Sequence, residues 1–156
     1  PAVVVVGSEL PEITGLDFVR TVQREHSSMR SILFAREAEP EYAKIALDEG
    51  VAGLLSPDSF VKDILECTAA VRDGQRYIYE PHRRNIIRRL GPRVLLSGRE
   101  REMFDLVGSG LTSQQIADRL FLSKSTVDGH RASIASKLGL SGPNALTKFA
   151  LQHYRG

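Results

Sequence analysis

Four consecutive valines, Val3 to Val6, begin the hydrophobic pattern. An unbroken β-branched run predicts a strand buried on both faces. A loop over 7–15, broken by Pro11, follows. Leu16, Val19 and Val22 then recur at helical spacing and predict an amphipathic helix over 16–26. Ile32 to Ala35 predicts a second strand, 41–49 a second helix stopped by Gly50, and Val51 to Leu55 a third strand. A third helix is predicted over 60–72, with Val61, Ile64, Leu65, Thr68 and Val71 on its inner face and Cys67 as a small, partly buried residue. Such alternation implies parallel strands joined by helical crossovers.

The pattern changes after residue 80. Residues 80–95 read as a basic linker between Pro81 and Gly91-Pro92, holding a short helix in which Ile86, Ile87 and Leu90 sit among Arg83, Arg84, Arg88 and Arg89. That helix is either a solvated linker or a segment that sits near phosphate or docks on the first half. Four helices follow. Ser97 to Glu100 forms a capping box for a helix to about Ser109, with Met103, Leu106 and Val107 inward and Gly110 as its stop. Thr112 to Gln115 forms a second box, opening a helix with apolar Ile116, Ala117, Leu120 and Phe121. After a turn at Leu122-Ser123, Ser123 or Ser125 caps a third helix that Gly139 ends. Ser141-Gly142-Pro143 opens the last, with Leu146, Phe149 and Ala150 on one stripe. Two helices joined by a tight turn, over Gln115 to Ile134, suggest helix-turn-helix DNA binding.

Composition narrows the class. The 156 residues, 42% apolar and 26% charged, fit one ordinary or two small globular domains. No apolar run approaches the ~18 residues of a membrane span, and no basic leader precedes the valines. One cysteine excludes a disulfide framework and a multi-cysteine metal site, and places the protein in the cytoplasm, where a lone thiol stays reduced. His26, His82, His130 and His153 have no metal-ligand spacing, so neither metal nor cofactor is expected. The net charge of +2 hides an asymmetry: residues 1–80 hold 8 Lys and Arg against 14 Asp and Glu, residues 81–156 hold 13 against 5. Either two modules are present, the second facing a polyanion, or two solvated surfaces simply differ.

The order and spacing of Pro1 to Val6, Leu10-Pro11, Gly15-Leu16, Glu39 to Tyr42 and Gly50 to Leu55 resemble a response-regulator receiver domain from its third strand onward, over 1–79. The resemblance implies a partial flavodoxin-like α/β fold. It also places the phosphorylated aspartate at Gly7, the switch hydroxyl at Ala35 and the phosphate-pairing lysine at Pro57. Glycine has no nucleophile, alanine no hydroxyl and proline no cation, so this degenerate pocket is not expected to accept a phosphoryl group. Glu9 and Asp17 are close in sequence but lie off the matching position. The first two strand–helix units of a receiver are missing. The missing first strand would pair with Val3 to Val6, so either upstream residues exist in the native protein or another chain covers that edge.

The second half carries a denser resemblance. Leu96 to Glu102, Gly110 to Ser113, Ile116-Ala117, Leu120, Ser123, Thr126-Val127, His130-Arg131, Ile134 and Lys137-Leu138-Gly139 are similar to the LuxR/FixJ/NarL-type DNA-binding domain, over 96–153. Together the halves resemble an atypical NarL-type response regulator, with the DNA-binding domain at 96–156. At 100° per residue, Val127, Ile134 and Leu138 share one buried face of the third helix, which in the family is the recognition helix. The opposite face carries Ser125, Asp128, Gly129, Ala132, Ser133 and Ser136, suited to base edges, with Lys124, Arg131 and Lys137 at the flanks for phosphates. The resemblance adds Thr126 and His130 as backbone contacts, although His130 fits packing between helices equally well. Arg99 and Glu100 are expected to brace the fold. The resemblance also implies a homodimer on double-stranded DNA, contacting through Leu146, Phe149 and Ala150. Three functions are weighed. The first is a transcription factor controlled by a ligand, partner or expression level rather than phosphorylation. The second is a co-regulator that heterodimerises and reads DNA poorly alone. The third, an enzyme, lacks a nucleophile–base pair, metal cluster or phosphate loop.

Overall fold

The computed structural model describes residues 2–36 and 40–154, so Pro1 and Glu39, both part of the receiver resemblance, lie outside the described residues. The chain forms two compact units that divide between Gly91 and Pro92.

In the first unit, β1 (Val3–Gly7), β2 (Arg30–Phe34), β3 (Gly53–Leu55) and β4 (Tyr77–Ile78) form one parallel sheet in the order β1-β2-β3-β4. Helices α1 (Gly15–Glu25), α2 (Pro40–Asp48) and α3 (Val61–Arg72) are the crossovers. α1 starts where Thr14 accepts a hydrogen bond from Asp17 N, and it buries Leu16, Val19 and Val22 as the spacing predicts. Two expectations fail. Only Val6 of the four valines is buried and Val5 is 54% exposed, because β1 has β2 on one side and no strand on the other among the described residues. On α3, Val61, Leu65 and Thr68 face outward, while Cys67 and Val71 are fully buried. The rotation follows from Gly53: a Cβ there would lie 2.6 Å from Cys67 Sγ, so the helix meets the sheet at that pair of small residues. Burial pushes the Cys67 thiol up to about 12.

The stretch expected as a linker over 80–95 is instead split. Glu80–Leu90 forms α4, which packs on α2 with Ile86 and His82 buried, and it belongs to the first unit. Of the open readings for this helix, docking on the first half is the one observed. Gly91 ends it at φ 87°, conformational space that glycine enters without strain.

The second unit opens with a 3-10 turn, Pro92–Leu95, followed by α5 (Gly98–Gly108), α6 (Ser113–Leu120), α7 (Lys124–Lys137) and α8 (Ala145–Gln152). Its core holds Leu95, Met103, Phe104, Val107, Ile116, Val127, Ile134, Leu146 and Ala150. The last two correct an expectation. Leu146 is 7% and Ala150 0% exposed, and Phe149 is half-buried between the rings of Phe104 and His153. α8 lies so close to α5 that a Cβ on Gly108 would come 2.9 Å from the Ala150 carbonyl oxygen. The stripe expected to bind a second copy is therefore occupied by the unit's own core.

Candidate nucleic-acid interface

Local caps set the geometry of α6 and α7. Thr112 Oγ1 accepts from Gln115 N at 3.3 Å, and Gln115 Oε1 accepts from Thr112 N at 2.9 Å. The chain leaves α6 through Phe121, in the left-handed region at φ 56°, and Leu122 N donates to the Ala117 carbonyl at 2.9 Å. Phe121 does not join the apolar face of α6. It lies past the last helical residue, where helical spacing no longer aims the side chain, and is 94% exposed. Ser123 rather than Ser125 caps α7, its Oγ accepting from Thr126 N at 3.0 Å.

α7 has 14 residues, about 21 Å of helix at 1.5 Å per residue. Val127, Ile134 and Leu138 are buried, as the 100° spacing predicts. Lys124, Ser125, Thr126, Asp128, Gly129, Ala132 and Ser133 are exposed, and His130, Arg131 and Lys137 are half-buried. One helix thus carries all ten expected contact residues, but their cations are engaged. Lys124 Nζ lies 3.0 Å from Asp128 Oδ2. The Asp128 carboxyl is held below its ordinary 3.8 chiefly by the Ser113 hydroxyl, then by Lys124. Arg131 Nη2 donates to Thr147 Oγ1 at 2.7 Å, a neutral partner that leaves the guanidinium charge uncompensated by that bond.

Lys137 differs most from expectation. Its Nζ donates to Glu100 Oε1 at 2.6 Å, and Glu100 is 6% exposed. Lys137 therefore turns toward α5 rather than standing at the flank for a phosphate. Glu100 braces the fold as expected: the same oxygen accepts from Ser97 N at 3.0 Å. Burial pushes its pKa up, but Lys137 and Ser97 together outweigh burial and hold it below 4.5. Arg99 pairs with Glu102 on the surface at 2.8 Å.

In the first unit, Gly7, Ala35 and Pro57 lie at the carboxyl ends of β1, β2 and β3. The backbone packs tightly there: a Cβ on Gly15 would lie 2.0 Å from the Gly7 carbonyl oxygen. Ala35 is 2% exposed, and His82 Nε2 donates to its carbonyl at 3.2 Å. Burial holds His82 below its ordinary 6.5 despite its bonds to the Ala35 and Leu55 carbonyls, so the ring is neutral at pH 7. Asp17 is spent on Thr14 and Arg20, at 2.8 and 2.9 Å. Among the described residues, no group of three or more His, Cys, Asp and Glu could hold a metal ion, and no helix is long and apolar enough to cross a membrane.

Sequence reasoning passed over Thr147 and gave Ser113 and His82 no such role, yet each ties down a site residue. Ser113 and Thr147 act across helix–helix contacts that spacing within one helix does not reveal. For His82, the position one residue after Pro81 at a helix start was a signal for the helix, not for the ring's partner.

Residues 94–150 match the model of bacterial regulatory proteins, luxR family. The transcriptional regulatory protein MctR of Rhizobium johnstonii is 25% identical over 98% of this chain, which spans 72% of MctR. The probable transcriptional regulatory protein SgaR of Hyphomicrobium methylovorum is 30% identical over 89% of this chain, which spans 65% of SgaR. The response regulator UvrY of Escherichia coli is 27% identical, with 97% of this chain and 72% of UvrY covered. A solved structure of two RcsB dimers bound to two parallel DNAs superposes with a TM-score of 0.53 at 22% identity, covering 95% of this chain and 73% of that one, a likeness of fold.

Proposed function

We propose that this chain, which belongs to the NarL/FixJ-type response regulators, regulates transcription by reading paired DNA half-sites as a homodimer through α7, without aspartyl phosphorylation. The observation that carries the reading is the two-sidedness of α7. One face is buried in the core, and the other exposes Ser125, Thr126, Asp128, Gly129, Ala132 and Ser133, of which Asp128 is held by Lys124 and the Ser113 hydroxyl and Thr126 by Ser123. Serines bond to several bases, Asp128 accepts from a cytosine amino group and Ala132 touches a thymine methyl. With Lys137 held by a buried carboxylate, the cations that can turn to phosphate are Lys124, paired with the exposed Asp128, and Arg131, bonded to the neutral Thr147 hydroxyl. Two phosphates per protomer of a dimer give a slope of log K against log salt of about −3.5. Independence from phosphorylation is supported by Gly7, Ala35 and Pro57, which offer no nucleophile, hydroxyl or cation.

The test is sequence selection and footprinting with the purified chain alone, before and after treatment with acetyl phosphate. The reading expects a protected two-fold site, the same affinity in both states and no phosphoryl mass gain. A base-labile mass gain of one phosphoryl group overturns the independence from phosphorylation, and absence of any protected site overturns autonomous DNA reading. A second reading has its own support: the outer face of α7 carries neither Lys nor Arg, and the flanking Lys124 is already paired with Asp128. On that reading the chain is a co-regulator that reads DNA with a heterologous partner, and a footprint appears only when that partner is added.

A further inference from the structure

The first unit contains an open cleft of about 490 Å³ outside the carboxyl ends of β3 and β4. Its walls come from the segment after β3, with Ser56 and Asp58, and from Tyr79 and the first turns of α4. The volume lies within the range of about 300–1,000 Å³ typical of small-molecule sites.

The charge of the walls selects the ligand. Arg84 and Arg88 stand four residues apart on α4 and both line the cleft. Like charges at that spacing disfavour the helix slightly, a cost that a bound anion removes. Neither charge is well matched internally. Arg88 Nη2 donates to the neutral amide oxygen of Asn85 at 3.1 Å, and Arg84 lies 3.7 Å from a Glu80 carboxylate that also pairs with Arg83. Asp58 is the one carboxylate among the described residues that line the cleft. We propose that this cleft binds a small phosphomonoester. Arg84 and Arg88 grip the phosphate through their planar forks, and Asp58 accepts a hydrogen bond from a hydroxyl of the ligand's body beside the Tyr79 ring. The site lies wholly within residues 56–88, so it stands or falls apart from DNA binding by α7.

Isothermal titration of the full chain with inorganic phosphate, ribose 5-phosphate and ribose tests it. Saturable binding of both phosphates is expected, ribose 5-phosphate binding about tenfold tighter and ribose not at all. The double variant Arg84→Ala/Arg88→Ala should weaken both phosphates by at least about tenfold, and Asp58→Ala should remove the advantage of ribose 5-phosphate alone. Arg24→Ala, a surface arginine outside the cleft, should change nothing. No saturable phosphate binding, or equal binding by the double variant, overturns the site. Equal affinity for the two phosphates reduces it to a free-phosphate site and overturns the phosphomonoester. If the double variant instead loses affinity for DNA while wild type fails to bind phosphate, these arginines belong to the DNA backbone and the proposal fails. Circular dichroism confirms that each variant is folded.

Discussion

The strand ends of the first unit and the outer face of α7 in the second are built in opposite ways. At Gly7, Ala35 and Pro57 the strand ends carry no nucleophile, hydroxyl or cation. Gly15 packs on the Gly7 carbonyl and His82 caps the Ala35 carbonyl, so backbone contacts occupy the place of a reactive centre. On α7 the polar side chains are present, but the helix's own unit competes for them: Asp128 holds Lys124, Glu100 holds Lys137 and Thr147 holds Arg131. The difference teaches that backbone contacts make few demands on side chains at the strand ends, whereas the polar side chains of an exposed helix face are shared with neighbouring helices. Five experiments press on that contrast.

The largest effect concerns the independence of the units. Leu146 is 7% exposed in the core of the second unit. Leu146→Asp buries an unpaired carboxylate, at a cost of about 3–5 kcal/mol, a large part of a small domain's stability. Urea denaturation should show the second unit's transition lost and the first unit's kept, with DNA binding abolished. Two intact transitions with only dimerisation lost would restore α8 as a surface contact.

Glu100→Ala comes next. It removes a bond to a charged group, worth about 2 kcal/mol, and half of the Ser97 capping box, worth about 1 kcal/mol. Acid should separate the units as well. His82 is held below 6.5 and Glu100 below 4.5 in the folded chain. A depressed folded pKa contributes stability above the unfolded value, and that stability is lost as pH falls through the folded value. Thermal melts should therefore show the first unit weakening once pH drops below 6.5, and the second only below 4.5. His82→Asn should remove the first step without touching the second. Simultaneous loss in the wild type would contradict the assignment.

Much of this was visible in the sequence where the determining interaction is local. The boxes at Ser97 and Thr112 and the cap at Ser123 each close within three residues, so spacing alone finds them. The buried face of α7 follows from Val127, Ile134 and Leu138 for the same reason. What spacing missed is decided across the fold. The rotation of α3 depends on Gly53 meeting Cys67, the burial of Leu146 on α5 lying against α8, and the direction of Lys137 on a carboxylate 37 residues away. The two-residue β4 is too short to show alternation, and it exists because β3 offers it an edge.

Asp128→Ala sharpens the comparison on the α7 side. If Asp128 reads a base, its loss should relax preference at one base pair by about 1–2 kcal/mol and leave others unchanged. Binding to a selected and a scrambled duplex at two salt concentrations measures this. Uniform tightening on both duplexes, with a steeper salt slope, would show instead that Asp128 only restrains Lys124.

The smallest effect separates fold from interface at one atom. Gly129 sits mid-helix on the exposed face of α7, and a Cβ there would meet nothing within 4 Å. Glycine at such a position costs roughly 0.8–1 kcal/mol relative to alanine, and nothing inside the unit repays it. Gly129→Ala should therefore raise the stability of the second unit by about that amount. Its effect on DNA should be opposite. If the glycine lets α7 approach the groove closely, the added methyl weakens specific binding several-fold while non-specific binding holds. Gly98, at the first turn of α5, is equally open. Gly98→Ala is the control, expected to stabilise the unit without changing DNA affinity. A Gly129→Ala variant that is more stable and binds the selected site as tightly as wild type would remove Gly129 from the interface and turn attention to the Ser125 end of the helix.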